Sequence, residues 1–420
     1  MTPPLAALAS PDSTLAPSAI EALVESAAAG DEFRGARVLC IVPDATRNAP
    51  VGSVFKPLYR ALAGKAKAVD VLVALGTHQP MDEAGICARL DLTAGERAGE
   101  FRAARFFNHE WDNPEQLTTI GEISPDEVRA LSGGQFEMAV PVGVNRRLFG
   151  YDIALIIGPV LPHEVVGFSG GNKYLFPGVS APEVLHFFHW LAALVTTTEI
   201  IGIKRTPVRR VIDHAASLVR MEKRCFCLVT RRDGLGGLFF GTPESAWDAA
   251  ADLSSQLHIR RTPRRYHTIV SCAAPIYKEL WVGSKAFYKL EPVLADGGEL
   301  IICSPHITAI SQTHGKVLRE IGYHCRDYFV QQWDRFKHHP WVVLGHSTHT
   351  RGAGTYRDGA ESFRAEISLA TGIPESECRA VNLGFRDPAR LRIEDFLNRE
   401  DEGILVAQNS GERLYRVAER

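Results

Sequence analysis

A glycine-rich turn that carries a lysine between two histidines is the densest group of residues able to do chemistry. The turn occupies residues 167–171, Lys173 follows it, and His163 and His189 lie on either side. Small residues let a backbone approach a ligand closely, and a glycine turn with a lysine is a common way to bind phosphate. The types and the order of these residues therefore predict a ligand site.

The elements around the turn fit this interpretation. An apolar run at 151–157 predicts a buried strand before the turn, and a helix carrying His186 and His189 is predicted after it. However, Tyr174 follows the lysine, so the pattern GxxxxGK[ST] is absent, and GxGxxG is absent as well. The spacing alone leaves two alternatives, a phosphate site and a structural glycine turn.

Polar residues also follow two predicted strands earlier in the chain. The apolar run 37–42 is followed by Asp44 and Arg47, and the run 69–75 is followed by His78. In an open α/β sheet, ligands bind at the carboxyl ends of the strands. The alternatives are a local salt bridge with a turn cap for the first pair and a structural role for the histidine.

Together these motifs resemble the lactate racemase (LarA) family. The resemblance rests on the run His163-Glu-Val-Val-Gly-Phe-Ser-Gly-Gly-Asn-Lys173, on Phe-Pro-Gly-Val at 176–179, on a histidine at 189 and on Asp-x-Thr-Arg at 44–47. It extends over about 35–300. The resemblance implies a nickel-pincer nucleotide, in which nickel is bound by two sulfurs, a ring carbon and one protein histidine.

The resemblance also implies a role for each matching residue. His78 and His163 match the two catalytic histidines, Lys173 matches the lysine that holds the cofactor through a thioamide, and His189 matches the nickel ligand. The further contacts that it implies are to the substrate at Arg47, Asp44 and Lys285, and to the cofactor at Asp44, Thr46, Gly170 and Gly171.

The implied reaction inverts C2 of a 2-hydroxy acid. One histidine removes the hydroxyl proton, the C2 hydride passes to the cofactor and returns to the other face, and the second histidine supplies the proton. An arginine at position 47 suits the substrate carboxylate, because its planar fork donates two parallel hydrogen bonds.

One departure from the family pattern bears on the substrate. The family has a glutamine three residues before the lysine that Lys285 matches, and this chain has Val282 there. Residues 304–351 are rich in serine, threonine, histidine and arginine. We therefore expect a substrate longer or more polar than lactate, such as a sugar acid or a hydroxy-dicarboxylate.

The histidine-rich segment allows three interpretations. A strand is predicted at 341–345, with His346 and His349 at its carboxyl end. The two histidines can belong to a metal site, to a polar wall of the substrate pocket or to an ordinary polar loop. Both Trp333 and Trp341 are candidates for the active-site tryptophan of the family.

The order of the predicted elements favours an α/β fold with mostly parallel sheets flanked by helices, because strands and helices alternate. We expect two domains with the active site in the cleft between them. The predicted N-terminal cofactor-binding domain spans 1–264 and is joined by the tail 400–420, and the predicted C-terminal domain spans 265–399. Helices are expected at 275–294 and 359–371.

Composition excludes several classes of function. The chain has 420 residues, a formal net charge of -2 and eight scattered cysteines. This charge gives no reason to expect a nucleic acid or an anionic membrane as partner, and no apolar stretch approaches ~20 residues. The cysteines suit reduced thiols in a cytoplasmic protein.

The expected partners are a small 2-hydroxy acid and the enzymes that synthesise the cofactor. Two other classes of function stay open from the sequence. One is a nucleotide-dependent oxidoreductase, although its dinucleotide fingerprint is absent, and the other is a non-catalytic protein that binds a cofactor or a phosphate. The sequence leaves the oligomeric state open.

Overall fold

The computed structural model describes residues 3–46 and 49–418. The chain forms two compact units, each assembled from three segments. Unit 1 consists of residues 1–161, 168–185 and 204–257, and unit 2 consists of residues 162–167, 186–203 and 258–420.

The strands form two main sheets and several two-stranded pairs. In chain order the strands of the described residues are β1 (Ala6–Ala9), β2 (Arg37–Pro43), β3 (Ala68–Ala74), β4 (Phe106–Asn108), β5 (Leu117–Ile123), β6 (Val140–Asn145), β7 (Ile153–Pro159), β8 (Pro162–His163), β9 (Gly167–Phe168), β10 (Glu222–Arg231), β11 (Gly234–Gly241), β12 (Ile259–Thr262), β13 (Tyr266–Ala273), β14 (Leu294–Ser304), β15 (Gly354–Arg357), β16 (Ala360–Phe363), β17 (Glu366–Thr371), β18 (Gly384–Phe385), β19 (Ile404–Ser410) and β20 (Leu414–Val417).

The helices are mostly short. In chain order those of the described residues are α1 (Pro17–Ala28), α2 (Gly52–Leu62), α3 (Glu83–Arg89), α4 (Ala94–Ala98), α5 (Pro125–Ser132), α6 (Pro182–Val195), α7 (Pro207–Ser217), α8 (Pro243–His258), α9 (Leu280–Gly283), α10 (Lys285–Tyr288), α11 (Gly315–Ile321), α12 (Arg326–Gln331), α13 (Trp333–Phe336), α14 (Trp341–Arg351) and α15 (Glu375–Ala380). In the part of the chain that is described, no helix has the length and apolar character needed to cross a bilayer.

Unit 1 is built on a seven-stranded sheet in the order β1-β11-β10-β7-β2-β3-β4. The strands from β10 to β4 run parallel, and β11 and β1 complete one edge in antiparallel pairing. Strand β2 is apolar and buried along nearly its whole length, as expected when both faces of a parallel sheet are covered. Side chains of α1 and α2 join those of the strands in one continuous apolar core.

Unit 2 contains a five-stranded parallel sheet in the order β18-β17-β14-β13-β19. Every neighbouring pair in it is parallel. The predicted α/β fold class, with mostly parallel sheets and flanking helices, is therefore confirmed. The predicted location of the active site between two domains stays a prediction.

The compact units differ from the predicted domains in two respects. The tail was predicted to join the N-terminal domain, but β19 pairs with β13 and β20 pairs with β12, so the tail lies in unit 2. Two segments before residue 204, namely 162–167 and 186–203, also belong to unit 2. The order of the segments along the chain gave no indication that these three segments belong to unit 2.

Three predicted elements of unit 2 are wrong. The segment 359–371 contains β16 and β17 and no helix, because Asp358 and Gly359 both have positive φ and form the tight turn of a β-hairpin. The segment 275–294 is not one helix, because it holds the short helices α9 and α10 and a 3₁₀ turn at Glu291–Val293. The segment 341–345 begins α14 and is not a strand; a short apolar run does not distinguish the two.

Candidate functional site

In unit 1 a carboxylate and an imidazole meet at the ends of two neighbouring strands. Asp44 directly follows β2, His78 lies four residues beyond β3, and the last residues of these parallel strands are paired. His78 Nδ1 lies 2.5 Å from Asp44 Oδ2. The Asp44 side chain is 8% exposed and that of His78 is 45% exposed. The ends of the two strands thus bring these two residues together.

Thr46 holds the same carboxylate from its other side. The backbone N–H of Thr46 donates to Asp44 Oδ1 at 3.1 Å, and the Thr46 hydroxyl donates to it at 2.6 Å. Asp44 is therefore oriented before any ligand arrives, and an ionised carboxylate keeps the proton of His78 on Nδ1. Nε2 of the neutral ring then has a lone pair with which to accept a proton. Arg47 lies outside the described residues, so its predicted role stays a prediction.

The turn that carries Lys173 is joined to the same end of the sheet. A short 3₁₀ helix spans Gly171–Tyr174, and Lys173 is half-buried within it. Gly178 N donates to the carbonyl of Lys173 at 3.2 Å, and Gly76 N, beyond β3, donates to the carbonyl of Gly178 at 3.0 Å. Unit 1 therefore brings the lysine turn beside the segment that leads to His78.

A buried arginine and a tryptophan fix the backbone of this turn. The Arg209 guanidinium, 2% exposed, donates to the carbonyls of Phe168 and Gly170. Its carbon lies 4.0 Å from the centroid of the Trp247 ring, and Trp247 Nε1 donates to the carbonyl of Ser169 at 2.9 Å. Burial lowers the pKa of Arg209 from its usual value. Sequence reasoning missed both residues, because nothing near them in the chain marks their partners.

Asn172 ties the turn to two carboxylates. Its amide nitrogen donates to Asp213 Oδ1 at 3.0 Å and to Glu244 Oε1 at 2.7 Å. Burial raises the pKa of the Asp213 carboxyl, against the opposing effect of Arg209. The residue beside Lys173 is thus anchored to α7 and to α8.

Gly170 and Gly171 are required by packing of the protein itself. Their φ angles are 87° and 59°, which favour glycine. A Cβ on Gly170 would lie 2.5 Å from Val160, and one on Gly171 would lie 2.9 Å from Trp247. The structural glycine turn is therefore supported, and cofactor binding by these two glycines stays a prediction.

His163 lies in unit 2 at the end of β8. Its Nδ1 accepts a hydrogen bond from the backbone N–H of Val165 at 3.2 Å and lies 3.4 Å from Glu164 Oε2. The side chains of His163 and Glu164 are 16% and 17% exposed. The second candidate catalytic histidine is therefore held by its own loop.

His189 and Lys285 also lie in unit 2. His189 is half-buried on α6, where its ring stacks on Phe188 with centroids 4.7 Å apart. Helix α14 packs closely beneath it, since a Cβ on Gly345 would lie 3.0 Å from the carbonyl of His189. Lys285 Nζ lies 5.3 Å from the centroid of the Tyr277 ring.

The donor set around His189 can be compared with the implied cofactor. Among the residues that the structure describes, no group of three or more histidine, cysteine or acidic side chains is arranged to hold a metal ion. A single imidazole suits a metal whose other ligands come from an organic group, and it does not suit a metal bound by protein alone. Taken one by one, the imidazole of His189 in unit 2 and the amine of Lys173 in unit 1 are of the residue types that a nickel-pincer nucleotide requires.

The two histidines of α14 are packed into unit 2. His349 is 4% exposed, its Nδ1 lies 2.6 Å from the Thr197 hydroxyl, and burial lowers its pKa to about 4. His346 stacks on Trp281 at 3.9 Å and donates from Nε2 to the Trp281 carbonyl; loss of hydration lowers its pKa to about 3. His349 lines a cavity of unit 2 together with Thr197 and Arg326. Within the described chain, neither histidine belongs to a group of three or more side chains that could hold a metal ion.

The candidate tryptophans have structural partners of their own. Trp333 stacks on Trp190 with centroids 5.3 Å apart, and Trp341 Nε1 donates to the Lys337 carbonyl. These contacts do not decide between Trp333 and Trp341. Trp281, which the sequence did not single out, lies on α9 and stacks with His314 as well as with His346 of α14.

Comparison with known proteins identifies relatives of this chain. Residues 9–200 match the lactate racemase N-terminal domain. The lactate racemase of Thermoanaerobacterium thermosaccharolyticum is 22% identical over 273 residues, which are 64% of this chain and 59% of that protein. The aligned part is therefore less than two thirds of the relative's length.

Solved structures show the same fold. A crystal structure of a Thermotoga maritima protein is 33% identical, covers 98% of this chain and 100% of its own, and superimposes with a TM-score of 0.87. The lactate racemase apoprotein of T. thermosaccharolyticum superimposes with a TM-score of 0.72 at 17% identity, over 94% of this chain and 93% of its own.

Fold and site define a two-unit α/β protein with a carboxylate–histidine pair at the strand ends and a lysine on an ordered glycine turn. The matched N-terminal domain and the lactate racemase relative show where this part of the chain belongs. Residues 9–200 belong to the lactate racemase (LarA) family.

Proposed function

We propose that this protein is a racemase or epimerase that inverts C2 of a 2-hydroxy acid with a nickel-pincer nucleotide attached to Lys173. The observation that carries the proposal is the Asp44–His78 pair, with Nδ1 and Oδ2 2.5 Å apart at the carboxyl ends of parallel strands. The family of the chain supports a racemase, and the ordered turn around Lys173 supports a fixed attachment point.

The residues of the chain have defined tasks in this proposal. When bound, the cofactor would supply a reversible hydride acceptor, with His189 as the protein ligand of its nickel. His78 would take the hydroxyl proton on Nε2 while Asp44 keeps Nδ1 protonated. His163 would exchange a proton with the same oxygen for the other stereoisomer, and Lys285 would stabilise negative charge on the substrate.

We further propose that the substrate is longer or more polar than lactate, and is a sugar acid or a hydroxy-dicarboxylate. This part rests on Val282, where the family pattern has a glutamine, and on the polar segment 304–351, from which Arg326, Thr348 and His349 line a cavity of unit 2. Turnover of lactate that equals turnover of every longer acid would overturn it.

The cofactor is tested by co-expressing the chain with the enzymes that make it, which we propose as its donors. We expect an intact-mass adduct and about one nickel per chain, both lost in Lys173→Ala and both retained in Lys316→Ala, an exposed lysine. Absence of both adduct and nickel from the parent chain would overturn the proposal.

The reaction is then tested by incubating the loaded protein with single stereoisomers of 2-hydroxy acids and following inversion at C2 by chiral chromatography. We expect inversion without net oxidation. Net formation of a 2-keto acid, with bound dinucleotide, would instead identify an oxidoreductase.

A further inference from the structure

The two candidate acid–base histidines have different partners at Nδ1. His78 Nδ1 faces the carboxylate of Asp44, which can only accept a hydrogen bond when ionised. His163 Nδ1 faces the backbone N–H of Val165, which can only donate one. The first ring therefore carries its proton on Nδ1, and the second ring, when neutral, carries it on Nε2.

This difference matters for proton transfer. A neutral ring with a bare Nε2 can take a proton from a hydroxyl group, whereas a neutral ring with Nε2–H can only donate a hydrogen bond. In the geometry that the structure shows, His78 is ready to act as a base and His163 is not. His163 needs a proton on Nδ1 to act either as the acid or as the base.

A second carboxylate is close enough to hold that proton. Glu164 Oε2 lies 3.4 Å from His163 Nδ1, and its side chain is only 17% exposed. Once Nδ1 carries a proton, the N–H of Val165 opposes it and a carboxylate stabilises it. When the Glu164 carboxylate replaces the backbone N–H of Val165 as the hydrogen-bond partner of Nδ1, the His163 ring can therefore carry the Nδ1 proton that acid–base catalysis requires.

We propose that Glu164 is a positioning residue for His163, and that its carboxylate accepts a hydrogen bond from Nδ1–H of His163 whenever His163 takes part in catalysis. This inference rests on the proposed function. As an acid, the charged ring gives the Nε2 proton to the substrate oxygen and keeps its other proton on Nδ1, hydrogen-bonded to the Glu164 carboxylate. As a base, the neutral ring takes the hydroxyl proton on Nε2, so that protons balance and no electron is transferred.

The surroundings of Glu164 support this role. His346 is near enough to Glu164 for a favourable electrostatic interaction, but loss of hydration lowers the pKa of His346 to about 3. His346 is therefore uncharged at neutral pH and does not neutralise the carboxylate. The charge of Glu164 stays available to an imidazolium at His163.

The resting tautomers are tested in the full-length chain without cofactor. Histidine is labelled with ¹⁵N, and the ring signals are assigned with His78→Gln and His163→Gln. We expect the Nδ1–H form at His78 and the Nε2–H form at His163 in their neutral states. The Nδ1–H form at His163 under these conditions would overturn the inference, whatever the protein catalyses.

The role of the carboxylate is tested with Glu164→Gln and Glu164→Asp. We expect Glu164→Gln to lower kcat by about 10-fold to 100-fold with little change in KM, and Glu164→Asp to restore part of the loss. As pH is lowered, His163 of the parent should gain its second proton before His163 of Glu164→Gln does. The control is Glu320→Gln, which removes an exposed carboxylate 3.7 Å from His339 and should change neither result.

The outcomes separate the two proposals. Equal kcat and equal protonation of His163 in Glu164→Gln and the parent would overturn the role of Glu164 alone. If no 2-hydroxy acid is inverted by any variant, the proposed function fails, and the protonation of His163 still decides whether Glu164 holds the ring. Circular dichroism of each variant checks that it is folded.

Discussion

His78 in unit 1 and His349 in unit 2 both make a short contact through Nδ1, but their environments differ. His78 is 45% exposed and faces a carboxylate, whereas His349 is 4% exposed and faces a hydroxyl. A carboxylate fixes the tautomer and leaves Nε2 free to exchange protons with a ligand. The hydroxyl of Thr197 is a hydrogen-bond partner for Nδ1 of His349 alone and gives the buried ring no means to hold charge. The hydrogen-bond partner and the exposure of a histidine distinguish a ring that can exchange protons with a ligand from a ring packed in the interior. Its position in a histidine-rich segment does not.

The strongest test of this contrast is the removal of the exposed imidazole. We expect His78→Gln to lower the rate of C2 inversion by about 10²-fold to 10⁴-fold, because a general acid–base group is lost. The free energy of unfolding should change by less than about 1 kcal/mol, since the side chain packs against little. Chiral chromatography measures the rate of C2 inversion, and urea unfolding measures the free energy of unfolding. An unchanged rate of C2 inversion in His78→Gln would contradict the proposed difference between His78 and His349.

Removal of the buried imidazole should act on stability. We expect His349→Ala to lower the free energy of unfolding by about 2–3 kcal/mol, because it leaves a void and removes the partner of Thr197. The matched control is His306→Ala, at an exposed site, which should stay within about 0.5 kcal/mol of the parent. Urea unfolding curves of the three proteins decide the point, and equal stability of His349→Ala and His306→Ala would contradict it.

The pH dependence of stability should show the smallest difference. The pKa of His349 is lowered to about 4 in the folded chain by burial, below the ordinary value of about 6.5 in an unfolded chain. Between these values the unfolded chain binds more protons, so the stability that His349 provides above pH 6.5 is lost as pH falls toward 4.

From pH 6.5 to 5.5 the expected loss from His349 is about 1 kcal/mol. His109 in unit 1, whose pKa is also lowered to about 4 by burial, should add a similar loss. Urea unfolding at the two pH values should give a smaller loss for His349→Ala than for the parent. An identical pH dependence in both would show that the ring is not buried in the neutral form.

The sequence predicted unit 1 better than unit 2 for a physical reason. Long apolar strands mark β2 and β3 and their ends, so the meeting of Asp44 and His78 follows from parallel pairing of neighbours. The partner of His349 is Thr197, 152 residues away, and no local pattern announces such a contact. Arg209 likewise acts on the carbonyls of a turn some 40 residues earlier, at Phe168 and Gly170.

Helix α14 shows why the histidine-rich segment was misread. Its first residues are apolar and β-branched, which favoured a strand, and tertiary packing determined the outcome. Gly345 allows close approach to the carbonyl of His189, a role that only the folded chain reveals. Residue types predicted the candidate chemistry, whereas the burial of His349 could be known only from its neighbours.

The division of the chain into interleaved segments has a consequence for its synthesis. The chain passes between the units five times, after residues 161, 167, 185, 203 and 257. His163 and His189 are made early but fold with residues that follow position 257. A ribosome must therefore release most of the chain before either histidine finds its structural neighbours. For the same reason a fragment that ends near residue 264 would carry both histidines without the sheet that unit 2 is built on.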